Sequence, residues 1–238
     1  MVRFPVPVTV PHWFDFGEDR EVVGPDLARA EAWDALRTAT EGPFALPASA
    51  TDLGAAAGRA PVLEARARTI DAWARSQRIE TLASYGAGVA LLEWWLGRLA
   101  PDRRLMITEH APATVERLAK LLPAAEVSRH DLLTEEPVAA ELHLFHRIDT
   151  EFDTAQWHSI LARFASQRVL LVAAAVAGPR DALREALHRT RHRNATRAGW
   201  LRNRAAFEAL WRPTHRATPL RVADLEGWSL EPHGRHDR

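Results

Sequence analysis

The sequence contains no cysteine, which excludes disulfide bonds, thiolate metal sites and cysteine nucleophiles. Lysine and tyrosine are almost as scarce, because Lys120 and Tyr85 are the only residues of their kinds. A catalytic tyrosine–lysine pair of the kind found in nicotinamide-dependent oxidoreductases is therefore not recognisable. His188 and His192 have helical i, i+4 spacing but lack the rest of a metal-binding motif, so we expect no metal site.

Long apolar runs and an excess of charge are also absent. The longest uninterrupted apolar segment, residues 169–177, is far shorter than the roughly 20 residues that a transmembrane helix needs. The N-terminus lacks the apolar core of a signal peptide. The 31 basic and 31 acidic residues cancel, whereas proteins that bind nucleic acid usually carry a basic excess. We therefore expect a soluble cytoplasmic protein, with no membrane contact and with nucleic acid an unlikely partner.

The N-terminal part of the chain differs in composition from the remainder. Residues 1–24 are rich in proline and aromatic side chains, which predicts an irregular arm, either packed on the surface or folded over a pocket. The spacing of apolar residues predicts helices over 26–40 and 62–76, with a loop over 42–60 between them. Residues 1–77 are thus predicted to form an N-terminal arm and helical cap.

Residues 78–232 alternate between strand and helix patterns, which is typical of a parallel sheet with right-handed helical crossovers. A helical, arginine-rich segment is predicted over 179–211, and its arginines offer a possible contact to nucleic acid. The tail is residues 233–238. The predicted fold class is α/β, with strands near residues 78–85, 104–108, 126–130, 142–145, 169–175, 218–222 and 228–231.

A glycine turn comes after the first of these strands, in the order Ser84-Tyr85-Gly86-Ala87-Gly88. Glycines at a strand-to-helix turn let the backbone approach a ligand and leave helix N–H groups directed into the crevice. Glu109 lies at the end of the second strand, where a carboxylate can accept hydrogen bonds from ribose hydroxyls. A plain structural turn and an exposed loop acid are the simpler interpretations of these two features.

The third strand ends in His130-Asp131-Leu132. In the same crevice, Asp131 could accept a hydrogen bond from an adenine amino group while Leu132 packs on the ring. A helix-capping or turn aspartate is the alternative.

Together, residues 80–177 resemble the core of a class I S-adenosylmethionine-dependent methyltransferase. The resemblance implies a Rossmann-like, doubly wound α/β fold, in which a mostly parallel sheet ends in an antiparallel last strand. It also implies S-adenosylmethionine as cofactor. Ser84 stands where that family has an acidic residue, and Ala90 stands where it has a third glycine. The cofactor-binding residues that the resemblance implies are Ser84, Gly86, Gly88, Glu109, His130, Asp131, Leu132 and His146.

The segment after the fourth strand supplies the candidate catalytic residues. His146 is the first candidate for a general base, because an unperturbed imidazole titrates near ~6.5. Asp149 and Glu151 could orient it or bind a cationic substrate, and nearby carboxylates would raise its pKa. A salt-bridged loop that caps the next helix is the simpler alternative.

The predicted function is methyl transfer from S-adenosylmethionine to a small-molecule nucleophile. Three alternatives stay open at this point: a non-catalytic protein that kept the fold, an RNA methyltransferase and an NAD-dependent oxidoreductase. The sequence determines neither the methyl acceptor nor the oligomeric state.

Overall fold

A computed structural model describes residues 6–14, 30–39, 42, 44–191 and 196–234. We number helices and strands in chain order. The strands are β1 (Thr9–Phe14), β2 (Thr81–Tyr85), β3 (Arg104–Glu109), β4 (Glu126–Arg129), β5 (Leu142–His146), β6 (Val169–Val172), β7 (Thr196–Arg202), β8 (His215–Val222) and β9 (Leu225–Pro232). The helices are α1 (Ala30–Thr38), α2 (Ala50–Gly58), α3 (Pro61–Ser76), α4 (Leu91–Leu99), α5 (Pro112–Leu121), α6 (Thr154–Arg163), α7 (Pro179–Arg191) and α8 (Arg204–Trp211).

The central sheet has seven strands in the order β4-β3-β2-β5-β6-β9-β8. The first five of these are parallel, while β9 runs antiparallel to both β6 and β8. The order reverses direction between β2 and β5, which creates a crevice at the carboxyl ends of these strands. The predicted fold class, a mostly parallel doubly wound sheet with an antiparallel last strand, is confirmed.

Apolar side chains cover both faces of the sheet, as the alternation of side chains along a strand requires. Leu82 and Leu144 join one buried cluster, which includes Ile70 of α3 and residues of α4. Ala83 and Phe145, one residue further along the same strands, join the cluster on the opposite face, with side chains of α6 and α8. Both faces are thus buried, and the strand ends are left to form a site.

The segment predicted to be helical over 179–211 differs from the prediction. It contains α7, then strand β7, then α8. β7 pairs antiparallel with β1 and forms a separate two-stranded ribbon, in which Thr9 lies opposite Arg202. The helical pattern failed here because a strand that lies 182 to 193 residues earlier in the chain pairs with this segment and overrides local propensity. Pro11 is tolerated in β1 because a two-stranded ribbon has only edge strands.

The predicted arginine-rich helical face is therefore interrupted. Arg202 is fully buried, and Arg204 pairs with Glu226. Arg197 stacks over Trp200, with its guanidinium carbon 5.3 Å from the ring centroid. His192, one half of the i, i+4 histidine pair, lies outside the described residues, and so does residue 193.

The described residues of the predicted N-terminal cap form one helix more than the sequence predicts. α2 lies within the segment 42–60 that was predicted to be a loop, and it begins because Ser49 accepts a hydrogen bond from the Asp52 N–H as an N-cap. α3 matches the predicted helix closely and begins with Pro61 in its first turn. Residues 26–29 and 40 of the first predicted helix, and residues 235–238 of the tail, lie outside the described residues. Within the described part of the chain, no helix has the length and apolarity needed to cross a bilayer.

Candidate active site

The turn from β2 to α4 requires glycine at two positions. Gly86 and Gly88 have φ angles of +64° and +61°, a region that side chains disfavour. A Cβ atom on Gly86 would lie 2.7 Å from Cγ2 of Ile148, so a side chain there would collide with protein before it met any ligand. Ala90 adopts a φ of +58° at the N-cap of α4, so it takes the left-handed conformation despite its methyl group.

Ser84 lies below this turn rather than in a cavity. Its side chain is buried, and its hydroxyl donates a hydrogen bond to Oε1 of Glu93 at 2.6 Å. Glu93 comes from the first turn of α4, and burial raises the pKa of its carboxyl group to about 7. The prediction that Ser84 contacts the cofactor is therefore revised, because the acidic group beside the turn is supplied by the helix. An acid inside the apolar sequence of α4 was the signal that sequence reasoning missed.

Glu109, at the end of the neighbouring strand β3, is hydrogen-bonded to the glycine turn. Its Oε2 accepts a hydrogen bond from the Gly88 N–H at 3.1 Å, and its Oε1 accepts one from the His110 N–H at 2.9 Å. Burial opposes ionisation, but the hydrogen bonds and charge of His110 hold the pKa of Glu109 below its ordinary value. Glu109 is thus an ionised acceptor at the carboxyl end of β3, and His110 is a partner that sequence reasoning missed.

A first cavity of about 280 Å³ opens beside Glu109. His130, Asp131 and Leu132 line it, as the sequence predicts for one crevice. Both Asp131 carboxylate oxygens also accept hydrogen bonds from the turn that comes next, so the alternative interpretation as a turn aspartate holds as well. Nε2 of His130 is buried without a hydrogen-bond partner among the described residues, which leaves a polar atom available to a ligand.

A second cavity of about 530 Å³ adjoins the first. It is lined by the glycine turn, by Glu93 and His146, and by side chains of the cap and of α7. The residues that line both cavities, and thus mark the boundary between them, are Trp33, Gly86, Ile148, Glu151 and Ala198. A ligand that spans both cavities must therefore pass the glycine turn and Glu151.

The three predicted catalytic residues lie in different environments. His146 lines the second cavity, but burial, with the nearby charges of Arg66 and Arg147, lowers the pKa of its imidazole to about 3. The expectation that carboxylates raise this pKa is thus wrong, because burial and two guanidinium groups outweigh them. At neutral pH His146 is uncharged and a weak base.

Asp149 lies behind the site. It is buried, it lines neither of the two cavities, and its Oδ1 accepts a hydrogen bond from the Ala174 N–H at 2.6 Å. Glu151, in contrast, lines both cavities, and burial raises the pKa of its carboxyl group to about 7. Among the described residues, none donates a hydrogen bond to that carboxyl group. Glu151 is therefore the candidate base that is both accessible and suited to neutral pH.

The ribbon β1–β7 is fixed directly onto the loop that carries Asp149 and Glu151. The Arg202 guanidinium donates hydrogen bonds to the backbone oxygens of Asp149 and Phe152, both at 2.5 Å. The Trp200 N–H donates to Thr150 O at 2.8 Å, and a side chain on Gly199 would collide with that oxygen. β1 is thus part of the same site, since it also places His12 in the lining of the second cavity.

Solved structures give the fold an independent comparison. No protein-family model and no curated protein sequence matches this chain. Human N-acetylserotonin methyltransferase in complex with S-adenosylmethionine is similar in structure, with a TM-score of 0.55 and 13% identity over 70% of this chain and 51% of that one. A putative O-methyltransferase from Nostoc punctiforme matches with a TM-score of 0.55 and 12% identity over 84% of this chain and 59% of that one.

A third similar structure is an O-methyltransferase family 2 protein from Planctomyces limnophilus in complex with apigenin, with a TM-score of 0.52 and 14% identity. That match covers 64% of this chain and 49% of the other. This chain thus spans between 49% and 59% of the length of these three structures. At such identities the likeness concerns the fold, and this chain has the Rossmann-like fold of class I S-adenosylmethionine-dependent methyltransferases.

Proposed function

We propose that this protein transfers a methyl group from S-adenosylmethionine to a nucleophilic atom of a small molecule. The observation that carries the proposal is the pair of adjoining cavities that meet at the glycine turn and Glu151. One cavity suits a nucleoside, and the other has room for an acceptor. When bound, S-adenosylmethionine supplies an already activated methyl group, so the protein's task is alignment and exclusion of water.

The residues of the first cavity fit the adenosine part of this cofactor. Glu109 is an ionised acceptor at the end of β3, and its own donors, Gly88 and His110, keep it in place. His130 contributes an unpaired ring nitrogen at the end of β4, and Leu132 contributes apolar surface. Ribose hydroxyls and an adenine ring require this combination of acceptor, polar edge and apolar face.

The second cavity fits a small acceptor with an exchangeable proton. It combines apolar side chains, among them Trp33, Phe44 and Leu201, with the Glu151 carboxyl group at its inner boundary. Glu151 would accept the proton that a hydroxyl or amine acceptor loses on methylation. A base whose pKa lies close to the working pH combines correct ionisation with useful proton affinity.

Turnover itself tests this proposal. We expect the purified protein to convert S-adenosylmethionine to S-adenosylhomocysteine in the presence of one or more members of a panel of small phenols and amines, with a matching gain of one methyl group on the acceptor by mass spectrometry. Structured RNA serves as the alternative acceptor. Methylation of RNA alone would contradict the small-molecule proposal, and no conversion with any acceptor would favour a non-catalytic protein.

A further inference from the structure

Arg37 of α1 extends over the glycine turn from the cap. Its Nη2 atom lies 2.7 Å from the position that a Cβ atom on Gly88 would occupy. The guanidinium carbon lies 4.8 Å from the ring centroid of Trp33 and 5.9 Å from that of Phe44. Nη1 donates a hydrogen bond to the Phe44 backbone oxygen at 3.2 Å. The side chain is thus fixed by two aromatic rings and one carbonyl, and it lines the second cavity.

This guanidinium has no carboxylate partner among the described residues. No Asp or Glu oxygen of that part of the chain forms an ion pair with it at 4.0 Å or less. Burial lowers the pKa of Arg37, and only the longer-range charges of Glu109 and Glu151 oppose that effect. A cation held in a cavity without a direct counter-ion gains most when an anion binds beside it.

We propose that Arg37 binds a carboxylate group of a ligand, above the Gly86–Gly88 turn. This inference rests on the proposed function. The carboxylate would come from the amino-acid end of S-adenosylmethionine or from an acidic methyl acceptor. A singly charged carboxylate suits the site better than a phosphate, because the ionised Glu109 beside the turn repels a second negative charge, and Glu93 and Glu151 add to this repulsion as they ionise near pH 7.

The amino-acid end of the cofactor fits the neighbouring groups as well. An α-carboxylate carries an ammonium group two bonds away, and the carboxyl groups of Glu93 and Glu151 line the same cavity. Arg37 and these two residues therefore offer both signs of charge on either side of the turn. Arg37 acts here as a binding residue, with no part in the transfer itself.

Binding of two nucleosides distinguishes a carboxylate-binding role of Arg37 from a purely structural one. S-adenosylhomocysteine carries the α-carboxylate, whereas methylthioadenosine keeps the adenosine and the thioether and lacks the amino-acid end. We expect Arg37→Met to weaken S-adenosylhomocysteine about tenfold or more by calorimetry, the scale of a lost charged hydrogen bond. Methylthioadenosine should bind the variant and the original protein equally, and Arg37→Lys should recover part of the lost affinity.

Arg98→Met is the matched control, because Arg98 also stacks on a tryptophan, 4.9 Å from the Trp94 ring centroid, and lines neither cavity. If Arg37→Met binds S-adenosylhomocysteine with unchanged affinity, salicylate and salicylamide are each titrated into the original protein and into Arg37→Met. Both proteins are first saturated with S-adenosylhomocysteine. A preference for salicylate that Arg37→Met removes would support the acceptor as the source.

Equal weakening of both nucleosides, or no change for any of the four ligands, would overturn the role of Arg37. Failure of S-adenosylhomocysteine to bind the original protein would instead overturn the proposed function, so the two failures are distinguishable.

Discussion

Replacing Glu151 with glutamine is expected to reduce methyl transfer by about 10²- to 10⁴-fold, the usual contribution of a general base. The reason is position together with ionisation. Glu151 lies on the boundary of both cavities, and the pKa of its carboxyl group is raised to about 7 by burial first and by the charge of Glu109 second. Glutamine keeps the shape of the side chain and removes its ability to accept a proton. The measurement is kcat/KM for the best acceptor of the panel.

The pH profile shows whether Glu151 is the base. In the original protein kcat/KM should rise with pH through about 7, and in Glu151→Gln this limb should be missing. His146→Gln is the matched control, since His146 lines the same cavity with the pKa of its imidazole lowered to about 3. If His146→Gln loses the limb and Glu151→Gln keeps it, His146 is the base and Glu151 is not.

The pH dependence of the free energy of unfolding shows whether Glu151→Gln has lost only a proton acceptor or has a damaged fold. Because burial raises the pKa of Glu151 from 4.5 to about 7, the folded protein binds a proton that the unfolded chain releases. This contribution to the free energy of unfolding is complete below pH 4.5 and is lost as the pH rises through about 7. Glu151→Gln lacks this titration, so the free energy of unfolding of the original protein should fall relative to that of Glu151→Gln as the pH rises from about 4.5 to about 7.

Replacing Glu109 with alanine is expected to weaken S-adenosylhomocysteine by about 10- to 100-fold. The change removes the predicted acceptor for the ribose hydroxyls, and it also removes the carboxylate that accepts a hydrogen bond from the Gly88 N–H. Calorimetric titration measures the affinity. Glu126→Ala is the control, because Glu126 belongs to the adjacent strand and forms only an exposed ion pair with Arg104. Unchanged affinity in a folded Glu109→Ala protein would remove Glu109 from the nucleoside site.

Local patterns in the sequence were sufficient to predict several of the residues that line the first cavity. The glycine turn, Glu109 and the segment from His130 to Leu132 each lie at the end of a strand of a parallel sheet, and such strand ends converge at one edge. The apolar alternation that predicts the strands therefore also predicts which polar residues share the first cavity. The local patterns predicted two short strands at the end of the sheet, and the resemblance to the methyltransferase family predicted that the sheet ends in an antiparallel strand.

The second cavity depends on contacts between segments that are distant in the sequence, and no local pattern encodes such contacts. The ribbon exists because β1 pairs with β7, and Arg37 reaches Gly88 because α1 is held against α5, where Asp34 accepts hydrogen bonds from Thr114. The predicted pKa of His146 was wrong for a related reason. It is set by burial and by Arg66, a residue eighty positions earlier in the chain, and not by the acidic residues that come after it.

The central claim is that the first cavity holds the adenosine of S-adenosylmethionine. Its most direct test is calorimetric titration of the unmodified protein with S-adenosylhomocysteine and, separately, with NAD. We expect one S-adenosylhomocysteine to bind per chain and NAD to give no saturable heat. Saturable binding of NAD without binding of S-adenosylhomocysteine would contradict the account and favour an oxidoreductase.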